Sequence, residues 1–302
     1  MSTSTDRVET LQVVVKGETP ILPKIAFGLI TLASLGGASF TGLGLGVGGG
    51  GVLLRWLTLW SIALAGGFLV WRLVYLRDHE VDVDQSQVDA LNASALSRAD
   101  TVARWVAPII LVGAPGALVV PHLATWQPAL QIGLVAGSVA LAGVLTLGVR
   151  NRAAALSAAL LAAALFVGWA WADTGGDWHF WVRLAHLTAF TLWLGGALWN
   201  ITVAMPAGRA HPVVDAVLAG ARQLDRFRWV VRFALPTIIV TGLLMAGVYR
   251  SLPLHWWTTM PGVLIPLKVM AIVALVVVFI TCPLFRQCSP VQGVCNIDDL
   301  DT

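Results

Sequence analysis

Eight long apolar runs constrain the fold of this chain more than any other feature. They cover residues 24–47, 52–76, 105–122, 128–149, 153–172, 179–204, 230–250 and 262–285. A helix needs about 20 apolar residues to cross the hydrocarbon core of a bilayer, and a crossing segment must satisfy its own backbone groups. The sequence therefore predicts an all-α, polytopic membrane helix bundle of about eight transmembrane helices.

The composition excludes a soluble protein. Charged residues make up 12% of the chain and apolar residues 57%, with a mean hydropathy of +0.80, whereas soluble domains carry about 25% charged residues. The net charge of +3 comes from basic residues that edge the spans, so it does not indicate nucleic-acid binding. We expect a multi-pass protein of the cell (inner or plasma) membrane, with membrane lipid as its surroundings.

The basic residues also predict the orientation, with both termini cytoplasmic. With the N-terminus inside, all but four of the 19 Lys and Arg residues lie on the cytoplasmic side, as the positive-inside rule requires. The four exceptions are Arg55, Arg183, Arg250 and Lys268.

This orientation divides the chain into a cytoplasmic N-terminal tail (1–23), helices one to five (24–176), helices six to eight (177–286) and a cytoplasmic C-terminal tail (287–302). The long connections 77–104 and 205–229 are then internal. We expect an acidic, solvated helix with its flanks in the first, and a basic segment on the anionic inner leaflet in the second.

Glycines close the first apolar run, at Gly42, Gly44, Gly46 and Gly48–Gly51. A phosphate-binding loop would need a preceding strand, and an apolar run precedes these glycines instead. Close helix packing through small residues is the expected role.

Histidine is the candidate for chemistry inside the membrane, because no predicted span contains Asp or Glu and an ionisable group in a span indicates function. Four of the six histidines lie on the predicted outer side. They are His122, His179, His186 and His255, whereas His79 and His211 lie in the cytoplasmic connections.

The sixth span places a polar and aromatic stripe on one helix face. His179, His186, Trp193 and Asn200 follow one another at intervals of seven residues, which returns each to within about 20° of the last. His186 then lies about 10 Å below the outer boundary. Gly195 and Gly196 should let another helix approach closely.

Residues at matching depth come from the last two spans, namely Thr241, Met245 and Lys268. A neutral imidazole is a ligand for copper, zinc or haem iron, and a thioether adds preference for Cu(I). The expected metal ligands are His186, His179, His122, His255 and Met260, and the expected cofactor-binding residues are His186, Trp193 and Lys268. The alternatives are that His186 only hydrogen-bonds a neighbouring helix and that Lys268 snorkels to the surface.

Cysteine does not contribute to the predicted site. Cys282, Cys288 and Cys295 lie at the cytoplasmic end, where a reducing compartment disfavours a structural disulfide. Their spacing of six and seven positions is also too loose for a dedicated metal site. We expect them to be dispensable.

Three segments in residues 183–286 resemble the membrane domain of the copper resistance D (CopD) family. They are RLAHLTAFTLWLGGALWN, LDRFRWVVRFALPTIIVTGLLMAGVYR and WWTTMPGVLIPLKVMAIVALVVV. The residues that match the family's pattern are His186, Trp193, Gly195, Gly196, Thr241, Gly242 and Lys268. The resemblance implies an inner-membrane protein of copper handling, in import or resistance, with an outward-facing histidine site. It also implies delivery by an extracytoplasmic copper carrier, which would be a separate protein.

The same pattern, a His-to-Trp-Gly helix followed by a Lys-bearing helix, is similar to membrane haem b proteins. An electron-transfer or oxidoreductase subunit that binds haem b is therefore the alternative function, with His186 as an axial ligand. A membrane assembly or scaffold protein without a cofactor is a third possibility. No residue is predicted to be catalytic.

Overall fold

The computed structural model describes residues 21–119, 127–247 and 253–281, and this part of the chain is helical with no strand. Its α-helices are α1 (Ile21–Gly44), α2 (Gly49–Val70), α3 (Gln85–Gly113), α4 (Pro128–Thr146), α5 (Arg152–Thr174), α6 (Trp178–Trp199), α7 (Met205–Ala210), α8 (Val214–Ala246) and α9 (Leu264–Thr281). Two π-helical segments, Trp71–Tyr75 and Asn200–Ala204, continue α2 and α6.

Seven of the helical segments in the described residues are long and apolar enough to cross a membrane. The all-helical, multi-pass architecture expected from the sequence is thereby confirmed. The last predicted span, 262–285, corresponds to α9, where Leu264–Val278 forms a shorter apolar helix. Residues 282–285 of that span lie outside the described residues.

The two long connections are largely helical, as expected for 77–104 and beyond what the sequence indicated for 205–229. Most of 77–104 belongs to α3, which runs without interruption into the third span, and most of 205–229 belongs to α7 and to the first half of α8. Hydropathy does not distinguish a polar helical extension from a loop, because both lack the apolar run by which a span is recognised. Pro115 is the second residue of a 3₁₀ turn that follows α3, whereas α3 continues past Pro108.

An ion pair joins these two connections, so they are not simply solvated loops. Arg226 of α8 binds both carboxylate oxygens of Glu80 at 2.7 and 2.8 Å, and it donates to the Tyr75 carbonyl at 2.9 Å. The Glu80 side chain is only 3% exposed. Arg226 is thus held by the protein and not by the lipid leaflet.

Helix α6 lies between α2 and α8 and crosses α2 at two glycines. A Cβ atom on Gly67 would fall on the carbonyl oxygen of Thr191, and one on Gly195 would fall on the backbone of Gly67. Beside this crossing, Gly196 faces the side chains of Trp71 and Phe227. The close approach predicted at Gly195 and Gly196 is therefore confirmed.

The glycines after the first span have more than one role, so the packing prediction was too broad. Gly42 lies against Val52, and Gly51 lies against Val47 and Val119. Gly46 adopts a positive φ of 75° where the chain turns between α1 and α2, a conformation that suits glycine. By contrast, Gly44 and Gly48–Gly50 have no neighbour within 4 Å of an added Cβ.

Candidate functional site

His186 lies on α6 and is hydrogen-bonded to the neighbouring helix α8. Its Nδ1 is 2.8 Å from the Oγ1 of Thr241, and its Cε1 faces Gly242, 3.8 Å from where a Cβ would be. The structure thus places Thr241 at the depth of His186, as the sequence indicated. A hydrogen bond to a neighbouring helix, one of the two expected roles of this imidazole, is present.

The hydroxyl group of Thr241 determines which nitrogen of His186 carries the proton. Its single proton is donated to the Thr237 carbonyl of its own helix, at 2.5 Å, so towards His186 the oxygen acts as an acceptor. Nδ1 is therefore the nitrogen that donates to Thr241, and in a neutral imidazole Nε2 then carries the lone pair. Histidines that bind metals are commonly held in this way, with the second nitrogen donating to a neighbouring group.

Lys268 of α9 brings a positive charge close to His186. Its side chain crosses two glycines of α1, so that Nζ is 2.7 Å from where a Cβ of Gly37 would be. The ammonium group of Lys268 and the guanidinium group of Arg183 both lie within electrostatic range of His186. The cluster around His186 is thus rich in positive charge.

The remaining predicted ligands lie apart from this cluster or outside the described residues. His179 lies in the first turn of α6 and bonds the Asp177 carboxylate at 2.6 Å, a contact that holds the pKa of Asp177 below its usual range. His255 and Met260 are exposed in the segment before α9. His122 falls outside the described residues. Within the described ranges, no three His, Cys, Asp or Glu residues are placed so that they could hold a metal ion.

Trp193 and Asn200 complete the predicted stripe on α6, and both are buried. Trp193 is 3% exposed, and Asn200 donates from Nδ2 to the Gly196 carbonyl of its own helix at 2.8 Å. The side-chain amide of Asn200 therefore finds a hydrogen-bond partner within its own helix. Trp193 is part of the hydrophobic core at this level of the bundle.

Sequence reasoning missed an ion cluster at the end of the bundle that the basic residues predict to be outer. We call it the outer ion triad: Arg55, Asp173 and Arg183. Asp173 accepts hydrogen bonds from Arg55 Nη2 at 3.0 Å and from Arg183 Nε and Nη2 at 3.1 and 2.9 Å. The fifth span was predicted to end at residue 172, but α5 continues to Thr174 and includes this carboxylate. The available signal was the presence of two arginines in predicted spans, which require a counter-ion.

The chain was compared with models of protein families, with curated proteins and with solved structures, and no match was found in any of the three comparisons.

Proposed function

We propose that this chain is a copper-handling protein of the cell membrane in which His186 is the inner metal ligand. The observation that carries the proposal is the hydrogen bond from His186 Nδ1–H to Thr241. It fixes the ring inside the bundle and leaves the Nε2 lone pair to bind a ligand. The residues of the CopD resemblance add support, because His186, Thr241, Gly242 and Lys268 cluster between α1, α6, α8 and α9.

Helix α8 offers a second donor that suits Cu(I), one helical turn from Thr241. Imidazole nitrogen and thioether sulfur are both accepted by this ion. Met245 follows Thr241 by four positions on α8, so the two residues share a helix face. His186 and Met245 would hold the ion, while His122, His179, His255 and Met260 would load it from the outer side.

Binding of haem b is the second candidate, and the positive charge near His186 favours it. Lys268 and Arg183 lie within electrostatic range of the imidazole. They oppose a bare cation and attract a ligand that carries carboxylates, such as the propionates of haem. In that case His186 Nε2 would be an axial ligand, and Lys268 would neutralise a propionate.

One set of purified variants tests both candidates. Copper per chain and the Soret absorbance are measured for the wild type, His186→Ala and the matched control His211→Ala, which lies between α7 and α8. We expect His186→Ala to lose the ligand and His211→Ala, like His79→Ala, to keep it. Substitution of His179 or His255 by Ala should weaken loading without abolishing it.

Thr241→Val provides a second test that leaves the imidazole in place. Loss of the orienting hydrogen bond should weaken the affinity for the ligand by about 10- to 100-fold. Bound copper without a Soret band supports the copper site, and a Soret band that depends on His186 supports haem. Full occupancy in His186→Ala would refute both and leave the scaffold function.

The proposal includes eight spans, both termini in the cytoplasm, and a separate extracytoplasmic copper carrier as partner. The orientation rests on the basic residues, of which all but four of 19 lie on one side. Of two reporters fused after Thr302, the one that is active only in the cytoplasm should be active, and the one that is active only outside it should not. If the reporter that works outside the cytoplasm were active instead, the histidines predicted to be outer would face the cytoplasm, where an extracytoplasmic carrier could not reach them.

A further inference from the structure

An open, apolar groove runs between α6 and α8 on the outside of the bundle. It has a volume of about 540 Å³, and its walls include Ala185, Thr188 and Leu192 of α6 and Val230, Phe233 and Thr237 of α8. Phe233 is 66% exposed, so this wall faces the surroundings of the bundle. In a membrane those surroundings are lipid acyl chains.

A cation and an aromatic side chain stand at the arginine-rich end of the groove. Trp229 stacks on Phe233 with ring centroids 6.0 Å apart, so the aromatic surface continues from the groove wall to Trp229. The guanidinium group of Arg232 lies over the Trp229 ring, 5.0 Å from its centroid. Tryptophan and arginine together are typical of the headgroup level of a bilayer.

Arg232 also has a charge that the protein does not neutralise. It is exposed and forms no ion pair with any residue in the described ranges. Its neighbours on α8 differ in this respect, since Arg226 binds Glu80 and Arg228 binds Asp225. Arg232 is thus the arginine of this segment that is placed to bind an external anion beside the groove.

The depth of the groove matches a lipid chain. Val230 lies eleven residues before Thr241, or about 16 Å along the helix axis. Ala185 lines the groove next to His186, which marks the same level as Thr241. The groove therefore covers at least half of the roughly 30 Å hydrocarbon core, the depth of one leaflet.

We propose that the groove between α6 and α8 binds an acyl chain of an anionic phospholipid whose phosphate is held by Arg232. The charge of Arg232 selects the anionic headgroup, Trp229 lies at the level of the glycerol, and the apolar walls take the chain. This site is separate from the His186 cluster and does not depend on the function proposed for it.

The test measures the phospholipid that remains bound to the purified full chain after exposure to vesicles of equal parts phosphatidylglycerol and phosphatidylcholine. We expect the wild type to retain phosphatidylglycerol preferentially. Arg232→Gln should lower the ratio of the two retained lipids about fivefold, the effect of one arginine near an anionic surface. Arg104→Gln, at another exposed arginine without an ion pair in the described ranges, should leave the ratio unchanged.

The groove itself is tested by filling it from an exposed position. Thr188→Phe should reduce the total lipid retained, whereas Leu243→Phe, exposed on α8 outside the groove walls, should not. An unchanged ratio in Arg232→Gln, or an equal fall in Arg104→Gln, would overturn the proposal. So would a Thr188→Phe variant that changes the oligomeric state but retains lipid, since a second copy of the chain would then be the occupant.

Discussion

Removal of the Asp173 carboxylate should destabilise the bundle more than any other single loss of an ion pair among the described residues. Asp173 accepts three hydrogen bonds from two guanidinium groups, and its side chain is 13% exposed. In Asp173→Ala, both Arg55 and Arg183 lose their shared counter-ion while they remain largely buried, at 9% and 19% exposure. Breaking a buried pair in this way costs about 3–5 kcal/mol.

The lower end of that range applies here, because the two arginines keep other means of stabilisation. Arg55 still donates to the Val119 carbonyl at 2.8 Å and lies over the Trp169 ring, and Arg183 is partly exposed. We therefore expect a loss of about 3 kcal/mol. The double variant Asp173→Ala/Arg183→Ala should recover part of it, because one uncompensated cation is then removed.

The assay is reversible unfolding in mixed micelles with increasing SDS, followed by tryptophan fluorescence. Asp225→Ala is the matched control, because Asp225 is 59% exposed and binds Arg228 at 3.4 Å. An ion pair whose carboxylate is this exposed contributes about 0–1 kcal/mol. If Asp173→Ala and Asp225→Ala lowered the free energy of unfolding equally, the outer ion triad would not hold the helices together as we argue.

Two further predictions concern packing and the C-terminal cysteines. Gly67→Ala should destabilise the bundle by several kcal/mol, because its Cβ would fall on the Thr191 carbonyl. The control Gly28→Ala should be neutral or stabilising, because nothing lies within 4 Å of its added Cβ. Equal unfolding curves for the two variants would contradict the close crossing of α2 and α6. Cys282, Cys288 and Cys295 lie outside the described residues, and their triple Ser variant should bind as much copper or haem as the wild type. A loss as complete as that of His186→Ala would show that these thiols contribute to the site.

The sequence predicted the spans and part of the site, because both follow from simple periodicity. Apolar runs of about 20 residues have few alternatives to a membrane helix, and counting residues inward from each end placed Thr241 at the level of His186. The glycine crossing was also predictable on α6, at Gly195. Its partner on α2, Gly67, was not, because nothing in one helix specifies which neighbour it will meet.

The outer ion triad and the ion pair between the two long connections could not be predicted in the same way. Asp173 directly follows the fifth apolar run, where it resembles any polar residue at a helix end, and only the fold brings it to Arg55, 118 positions earlier. Glu80 likewise reads as a solvated acid in the sequence. Its burial becomes clear only when α8 places Arg226 against it.

The separate constraints on α6 together explain how a single histidine can be held in a defined orientation within the membrane. Arg183, three positions before His186 and therefore on a nearby face, ties the N-terminal part of α6 to α2 and α5 through Asp173. The crossing at Gly67 and Gly195 fixes the helix about two and a half turns below the histidine. With the helix held on both sides, the contact with Thr241 fixes the ring, so the orientation of Nε2 is set by the fold itself.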